Sequence, residues 1–176
     1  DDINLKEKEK VYIALNKPKG LITTAKDEKD RSTVFSCFVG SKLPYIFPVG
    51  RLDMASEGLL LFTNDTVWSD AITSRKIEKI YHVHIDTLAD DELLISLKKG
   101  MISDGEFLAV KNAKLLRSGK KNAWLEITLN EGKNRHIRRL LKENGIAVLR
   151  LIRVSIGKLK LGNLKKGEWK HILADE

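Results

Sequence analysis

The segment GRLDMASEGLLLFTND, residues 50–65, is the most informative part of the chain for predicting its fold. Within it, GLLLFT at 58–63 is a continuous apolar run of strand length, which indicates a strand buried on both faces. The residues before this run form a glycine-containing loop that carries Arg51 and Asp53. A carboxylate on a loop that is anchored by a rigid strand is well placed to be a reactive group.

Local chemistry leaves the role of Asp53 open between two interpretations. Arg51 lies close by and can pair with Asp53 or hold a phosphate, and a neighbouring cation keeps a carboxylate ionised, as a nucleophile requires. Asp also caps turns frequently, and from the local sequence alone this structural role is favoured. Glu57 could form an acid/base pair with Asp53, as in a glycoside hydrolase, but its place at a loop-to-strand junction favours a structural role.

Strand and helix patterns extend outward from this segment over the whole chain. Hydrophobic and turn patterns predict strands at residues 11–16, 58–63, 79–86, 110–116, 123–129, 147–156 and 169–172. They predict helices at residues 33–39, 66–74, 90–99 and 134–144. Because the strands outnumber the helices and are often neighbours in sequence, we predict an α+β fold. Its central sheet is expected to be largely antiparallel or mixed.

The length of 176 residues fits one compact domain or two closely joined halves. We predict a charged, flexible leader over residues 1–10 and a folded region over residues 11–173. Apolar residues make up 42% of the chain and charged residues 32%, which is typical of a globular protein. No apolar run reaches the roughly eighteen residues that a membrane-spanning helix needs.

Positive charge is concentrated in the C-terminal part of the chain. Residues 111–176 contain 17 Lys and Arg against 6 Asp and Glu, whereas residues 1–110 contain 15 against 18. This polarity favours a face or lobe that binds a polyanion, for which RNA, DNA and an acidic membrane are the candidates. A solvated basic surface explains the charge equally well, and no lipidation motif supports the membrane.

The segment NEGKNRHIRRLLKENG, residues 130–145, places four cations within a short stretch: Lys133, Arg135, Arg138 and Arg139. The pattern predicts a glycine-containing turn that leads into a basic helix, with an Asn cap at its start and Gly145 at its end. Such a turn offers N–H groups and guanidinium groups to phosphates. Arg138 lies beside the apolar side of this helix and is expected to point inward, where it needs a carboxylate partner; Asp53 is a candidate.

The segment EKIYHVHID, residues 78–86, has the composition of a strand, with Lys79 and Tyr81 on the same face. Tyr81 can stack on a base and offer its hydroxyl group, although a half-buried tyrosine is also common in sheets. His82 and His84 could ligate a metal. The chain has only 4 His and no cysteine nearby, so we predict a surface pair and no metal site.

Cys37 is the single cysteine, so the chain cannot form an internal disulfide bond. This composition fits a reducing compartment, and we predict a cytoplasmic protein. Cys37 lies in an apolar segment and is predicted to be a small buried residue. We expect the protein to be a monomer that binds no membrane.

Taken together, five segments resemble the RsuA branch of the RNA pseudouridine synthases and follow the order found in that family. They are NKPKG at 16–20, GRLDMASEGLLLFTND at 50–65, EKIYHV at 78–83, EGKNRHIRRL at 131–140 and LIRVSIGKLKLGNLKKGEW at 151–169. The second resembles the catalytic motif GRLDxxSEGLLLLTND, and the fourth resembles EGKNRQVRRM. The resemblance extends over nearly the whole chain, and five motifs in order make it specific.

The resemblance implies a catalytic domain over residues 11–173, whose two closely joined halves and their helices and loops surround a basic cleft. It also implies a role for each matching residue. Asp53 corresponds to the nucleophile, and Tyr81 corresponds to the active-site tyrosine that packs on the target uracil. Arg138 corresponds to the basic residue that pairs with the aspartate, and Leu151 to the apolar residue at the floor of the pocket. The resemblance and the basic helix together predict RNA contacts for Arg51, Lys133, Asn134, Arg135 and Arg139.

The resemblance implies isomerisation of a specific uridine in ribosomal RNA to pseudouridine. The bond from uracil N1 to the ribose breaks, the base turns, and the base rejoins the sugar through C5. Asp53 serves either by covalent attack on the sugar or the base, or by stabilising a glycal route. The family uses neither a metal nor an organic cofactor. The substrate is predicted to be large-subunit RNA, either naked or in an assembling subunit.

Departures from the family pattern accompany this resemblance. His136 and Leu140 stand where the family usually has glutamine and methionine. The small N-terminal RNA-binding domain of many relatives is expected to be absent, which makes the chain similar to the short RluE-type members or a truncation. A non-catalytic RNA-binding module for ribosome assembly is the alternative. It accounts for the charge, but not for Asp53, Tyr81 and Arg138 at motif positions.

Overall fold

The computed structural model describes residues 9–24 and 32–174, so most of the predicted leader, residues 1–8, lies outside the described residues. The strands are β1 (Tyr12–Lys17), β2 (Phe47–Val49), β3 (Glu57–Thr63), β4 (Lys79–Ile85), β5 (Met101–Ser103), β6 (Glu106–Leu108), β7 (Asn112–Ser118), β8 (Ala123–Leu129), β9 (Val148–Ile156), β10 (Leu159–Lys160) and β11 (Trp169–His171). The helices are α1 (Thr66–Ser74), α2 (Asp91–Lys99), α3 (His136–Glu143) and a 3-10 helix, Val34–Phe38.

One mixed sheet forms the centre of the fold, in the order β11-β1-β3-β9-β4-β8-β7. β2 is paired with β3, β10 is paired with β9, and β5 and β6 form a separate hairpin. Among the described strands, every pairing is antiparallel except that of β3 with β9, which is parallel. The prediction of an α+β fold with a largely antiparallel or mixed sheet is therefore confirmed.

The parallel pairing of β3 and β9 is short, and it requires a glycine. It joins Glu57 to Ile152 and Gly58 to Arg153. Gly58 has a φ of +109°, and a Cβ atom built on it would lie 2.2 Å from the carbonyl oxygen of Arg153. Only glycine allows two backbones to approach this closely at a positive φ. The loop that carries Asp53 leads directly into this junction.

β3 is buried along its whole length, as the apolar run predicts. Leu60 and Phe62 belong to an apolar cluster that includes the 3-10 helix, while Leu59 and Leu61 belong to a second cluster that includes Leu159 of β10. Alternate residues of a strand point to opposite faces of the sheet, so these two clusters cover both faces of β3. The packing fixes the strand, and with it the loop that precedes it.

β4 and β8 have one buried face and one partly exposed face. Their buried residues form a single cluster with apolar residues of α2 and α3, such as Leu97 and Leu140. On the other face, His84 stacks on Trp124, with ring centroids 4.7 Å apart, and His82 is partly exposed nearby. The three helices are short, and none in the described part of the chain has the length and apolar character needed to span a bilayer.

The start of α3 differs from the prediction. The sequence predicts a helix from residue 134 with an Asn cap, but α3 begins at His136, and its N-cap is Arg135 in the left-handed region, with φ 52° and ψ 36°. Buried His136 explains the difference: its Nε2 lies 2.7 Å from the carbonyl oxygen of Ala109, and its Nδ1 accepts from the N–H of Lys133 at 3.4 Å. These contacts hold the preceding residues in a tight turn outside the helix.

The strands predicted at residues 110–116 and 123–129 are present as the hairpin of β7 and β8, but β7 lies two residues later than expected. Gly119 donates its N–H to the carbonyl oxygen of Asn122 at 2.8 Å, which closes the turn. β7 contains an irregularity between Leu115 and Arg117, where its register with β8 shifts. β2, β5, β6 and β10 were not predicted, because strands of two or three residues are too short to show a periodic pattern.

Candidate active site

A cleft of about 470 Å³ collects most of the predicted site residues. Its walls come from the loop before β3, from β4 and β9, and from the turn before α3. The predicted residues along it are Arg51, Asp53, Tyr81, Lys133, Asn134, Arg135 and Leu151. Arg138 and Arg139 instead line an adjoining depression, which Asn134 and Arg135 share. A cleft of this size is typical of small-ligand sites.

The Asp53 carboxylate is partly exposed at the cleft. A turn beside it is closed by the main chain, because the N–H of Ser56 donates to the carbonyl oxygen of Asp53 at 2.9 Å. The carboxylate itself lies 3.8 Å from Nη1 of Arg135, and both side chains keep a substantial exposed fraction, 38% and 52%. This ion pair is therefore loose and solvated, and it leaves the carboxylate accessible to a ligand.

Arg138 makes no direct ion pair with Asp53 among the described contacts, although the charge of Asp53 opposes the lowering of the pKa of Arg138 by burial. The pairing of Arg138 with Asp53 therefore stays a prediction. Nη2 of Arg138 instead donates to the carbonyl oxygen of Ala55 at 3.2 Å and to Oγ of Ser56 at 3.5 Å. Arg138 points inward as expected, but it reaches the residues that follow Asp53. The left-handed conformation of Arg135 turns that residue toward Asp53, so Arg135 is the paired cation.

Lys17, at the end of β1, is a buried cation that the sequence did not reveal. Its side chain has no exposed surface, and its Nζ donates to the carbonyl oxygens of Ser56 at 2.6 Å, Pro18 at 3.0 Å and Met54 at 3.3 Å. Burial lowers the pKa of Lys17 to about 8, although the charges of Glu57 and Asp53 oppose the shift. Lys17 thus ties β1 to the loop that carries Asp53.

The lowered pKa of Lys17 gives the stability of the protein a specific pH dependence. Between about 8 and the ordinary value of 10.5, the unfolded chain binds more protons at Lys17 than the folded chain does. The free energy of unfolding of the wild type should therefore rise with pH in this window, relative to Lys17→Met. Urea unfolding from pH 7 to pH 10 measures the free energy of unfolding of both proteins. If the difference between the two free energies did not change with pH, the lowered pKa of Lys17 would be contradicted.

Glu57 is held in an ion-pair network and is not available for acid/base chemistry. Its buried carboxylate accepts from Nε and Nη2 of Arg150 at 3.0 and 2.8 Å, and it lies 3.6 Å from Nζ of Lys166. Burial alone would raise the pKa of Glu57, but the hydrogen bonds and charge of Arg150 outweigh it, so the pKa lies below its ordinary value. The structural interpretation of Glu57 is thus supported over a hydrolase pair with Asp53.

Replacing Arg150 and replacing Glu57 should reduce the free energy of unfolding by different amounts. The Glu57 side chain is 3% exposed, whereas that of Arg150 is 42% exposed. Arg150→Met leaves a buried carboxylate without its main partner and should cost about 3 kcal/mol, while Glu57→Gln leaves a cation that water reaches and should cost about 1 kcal/mol. Urea unfolding at pH 7 measures both.

Acidification provides a control for this comparison. The low pKa of Glu57 in the wild type means that the pair stabilises the fold above the ordinary carboxyl pKa, and that this contribution is lost as pH falls. In Arg150→Met the buried carboxyl group of Glu57 is neutralised on acidification. The difference in free energy of unfolding between this variant and the wild type should therefore become smaller toward about pH 4. A greater loss of stability in Glu57→Gln than in Arg150→Met would contradict the claim that the buried carboxylate needs its partner more than the exposed cation does.

β4 and β9 supply the inner wall of the cleft. Tyr81 is 8% exposed and pairs in register with Arg153, next to a shift in the register of β4 and β9 between Ile80 and Tyr81. Leu151 lies further along β9 and also lines the cleft, as expected for an apolar floor. Lys79 and Arg153 line the same wall, and sequence reasoning assigned neither of them a role.

Comparison with solved structures defines the class of protein to which this fold belongs. A crystal structure of a pseudouridylate synthase matches the chain with a TM-score of 0.81 at 29% identity, covering 97% of this chain and 73% of the other. A more distant archaeal box H/ACA Nop10–Cbf5 complex matches with a TM-score of 0.63 at 19% identity and shows the fold alone. The fold is thus that of enzymes which convert uridine to pseudouridine.

The chain belongs to the RNA pseudouridylate synthase family, whose sequence pattern matches residues 11–143. An uncharacterized RNA pseudouridine synthase of Rickettsia typhi is 44% identical over 97% of this chain and 69% of its own length. The ribosomal large subunit pseudouridine synthase B of Bacillus subtilis is 34% identical over 99% of this chain and 72% of its own length. These relatives confirm the RsuA branch, whereas the RluE-type subtype stays a prediction.

Proposed function

We propose that the protein isomerises one uridine of large-subunit ribosomal RNA, with Asp53 as the nucleophile. The observation that carries this proposal is the position of the Asp53 carboxylate, partly exposed in a cleft that Tyr81 and Leu151 also line. Relatives named as ribosomal large subunit pseudouridine synthases support the choice of substrate. A carboxylate on a fixed loop, next to a wall that accommodates a base, is the arrangement that this chemistry requires.

The other cleft residues are assigned to binding of the flipped nucleotide. Tyr81 stacks on the target uracil, which is worth roughly 1–3 kcal/mol and offsets part of the few kcal/mol that unstacking costs. Leu151 forms the floor beneath the base. The polar residues at the rim contact the RNA backbone: Arg51, Lys133, Asn134 and Arg135.

We assign Arg138 and Arg139 to maintaining the geometry of the site. Arg138 binds the carbonyl oxygen of Ala55 and so positions the loop that carries Asp53. Arg139 donates to the carbonyl oxygen of Ser103 at 2.8 Å and to the Glu106 carboxylate at 2.8 Å, which fixes the β5–β6 hairpin against α3. We therefore propose that Arg139 supports the β5–β6 hairpin, and this role replaces the RNA contact predicted for it.

The organisation of the chain follows from the same proposal. Residues 11–173 form one catalytic domain with two halves, and the cleft lies where β3 meets β9. The enzyme acts as a monomer on RNA in the cytoplasm, and its reaction proceeds without a metal or an organic cofactor. Turnover is accordingly expected to persist in the presence of a chelator.

Mapping of pseudouridine in ribosomal RNA tests the proposal. Ribosomal RNA and isolated subunits that lack the modification are incubated with the protein, then labelled with carbodiimide and read by primer extension. One new site in large-subunit RNA is the expected result. A new site in small-subunit RNA would contradict the substrate and leave the reaction standing. Binding of RNA without any new site would favour the non-catalytic RNA-binding module.

A further inference from the structure

The inner wall of the cleft carries two cations without a carboxylate partner. Lys79 and Arg153 both line the cleft beside Tyr81, and within the described residues neither has an ion pair with a carboxylate. Among the other cations of the cleft, exposed Arg51 at the rim also has no ion pair in the described part of the chain, whereas Arg135 and Lys133 each lie near a carboxylate. Arg135 is paired with Asp53, and Lys133 lies 4.0 Å from Glu131.

Arg153 is buried in a way that leaves part of its hydrogen-bonding capacity unused. Its exposed fraction is 4%, and its Nε donates to the carbonyl oxygen of Leu59 at 2.8 Å. Its Nη2 is shielded from water and has no hydrogen-bond partner in the described part of the chain. A buried donor that lacks an acceptor costs roughly 1–3 kcal/mol. An acceptor brought in by a ligand would remove this cost.

Lys79 adds a second charge to the same place. Burial and the positive charge of Arg153 both lower the pKa of Lys79, so the two cations are close enough to repel each other. Tyr81 and Arg153 are register partners on adjacent strands, and Lys79 begins the strand that carries Tyr81. Two uncompensated cations in a partly dry wall provide an electrostatic site for negative charge that develops during a reaction.

We infer that Lys79 and Arg153 bind the carbonyl oxygens of the target uracil and stabilise the negative charge that the base gains when its bond to the sugar breaks. This inference rests on the proposed function. When the N1–C1′ bond breaks, its electron pair stays on N1 and is delocalised onto the carbonyl oxygens. When C5 then bonds to C1′, the C5 proton passes to solvent and N1 is protonated, so the charge is transient.

The position of the two cations favours the base over a phosphate as their ligand. A base stacked on Tyr81 presents its carbonyl edges to the neighbouring positions of β4 and β9. The groups at the rim of the cleft, such as Lys133 and Asn134, belong to the turn before α3, where a backbone phosphate is expected to bind. Lys79 and Arg153 are therefore assigned to the chemical step, and the rim residues to RNA affinity.

Single-turnover kinetics on a transcribed ribosomal RNA fragment separate these roles. Lys79→Met should slow conversion of uridine about 100-fold or more, because loss of one stabilising group in an oxyanion-type site has an effect of this size. The Kd for RNA should change less than threefold. Lys79→Arg retains the charge and should recover at least a tenth of the wild-type rate. Lys98→Met, which removes an exposed lysine of α2, should leave both quantities unchanged.

Replacing the target uridine by 5-fluorouridine gives a readout that a merely structural role would not change. Fluorine withdraws electrons and stabilises the departing base, so the rate of N1–C1′ cleavage should depend less on Lys79. Because C5 then has no proton to release, the rate compared on both RNAs is that of loss of the starting nucleotide, which reports N1–C1′ cleavage. Lys79→Met should reduce this rate at least fivefold less on the fluorinated RNA than on the normal RNA. Equal losses on the two RNAs would overturn the inference, as would a Lys79→Met rate equal to that of the wild type.

Two further results keep this test decisive. Arg153→Lys retains a cation but loses the Nη2 donor, so its loss of rate should also be smaller on the fluorinated RNA than on the normal RNA. This variant takes the place of Lys79→Met in the test if Lys79→Met does not fold. If the wild type converts no uridine in any RNA, the proposed function fails and this inference fails with it. If the wild type is active and both variants are unaffected, only the inference is overturned.

Discussion

Asp53→Asn is expected to reduce the rate of uridine conversion to less than about one thousandth of that of the wild type. Asparagine has nearly the same shape as aspartate but cannot act as a carboxylate nucleophile or stabilise positive charge on the sugar. RNA affinity should be retained or slightly increased, because the variant removes a negative charge from a basic cleft. Release of tritium from C5 of labelled uridine measures turnover, and filter binding measures affinity.

Asp70→Asn is a matched control for this variant. Asp70 lies exposed on α1 and takes no part in the cleft, so the same loss of charge should leave both turnover and RNA affinity unchanged. The assignment of Asp53 would be contradicted if Asp53→Asn kept more than a tenth of the wild-type rate, because a nucleophile cannot be replaced at so small a cost.

Gly58→Ala is expected to prevent folding, with a loss of at least about 4 kcal/mol in the free energy of unfolding. The added Cβ would lie 2.2 Å from the carbonyl oxygen and 2.7 Å from the nitrogen of Arg153, and backbone atoms of a central strand cannot move aside cheaply. The strain falls on the single parallel junction of the described sheet, between β3 and β9. Urea unfolding, or the yield of soluble protein if the variant is too unstable, measures the effect.

Gly20→Ala separates this clash from the cost of a positive φ. Gly20 has a φ of +99°, similar to that of Gly58, but a Cβ atom built there meets nothing within 4 Å. Gly20→Ala should therefore cost only the conformational strain, roughly 1 kcal/mol. Equal destabilisation by the two substitutions would contradict the claim that close packing of β3 against β9 requires Gly58.

Local patterns were sufficient to predict the centre of the fold. The apolar run in β3 is long enough and apolar enough to indicate burial on both faces, and the structure buries all of it. The hairpin at residues 118–122 was predictable because polar turn residues separate two strands with clear patterns. The motif order led to the correct family, since five motifs are much more specific than any one of them.

Tertiary contacts explain what the sequence did not show about the site. The partner of Asp53 depends on where α3 begins, and that is set by contacts of His136 with Ala109, 27 positions earlier in the chain. The burial of Lys17 likewise depends on carbonyl oxygens of Met54 and Ser56, which are 37 and 39 positions away. The KPKG segment has the composition of a turn, so no periodic pattern could reveal a buried cation.

The central claim is that the protein rearranges the bond between uracil and ribose, and nucleoside analysis of the product tests it most directly. Purified protein is incubated with ribosomal RNA, and the RNA is digested to nucleosides. The nucleosides are separated by chromatography, and their masses are measured by mass spectrometry. The account predicts loss of one uridine and gain of an isomer of the same mass whose base resists acid cleavage from the sugar. Free uracil with an abasic site, or RNA that is bound but unchanged, would contradict it.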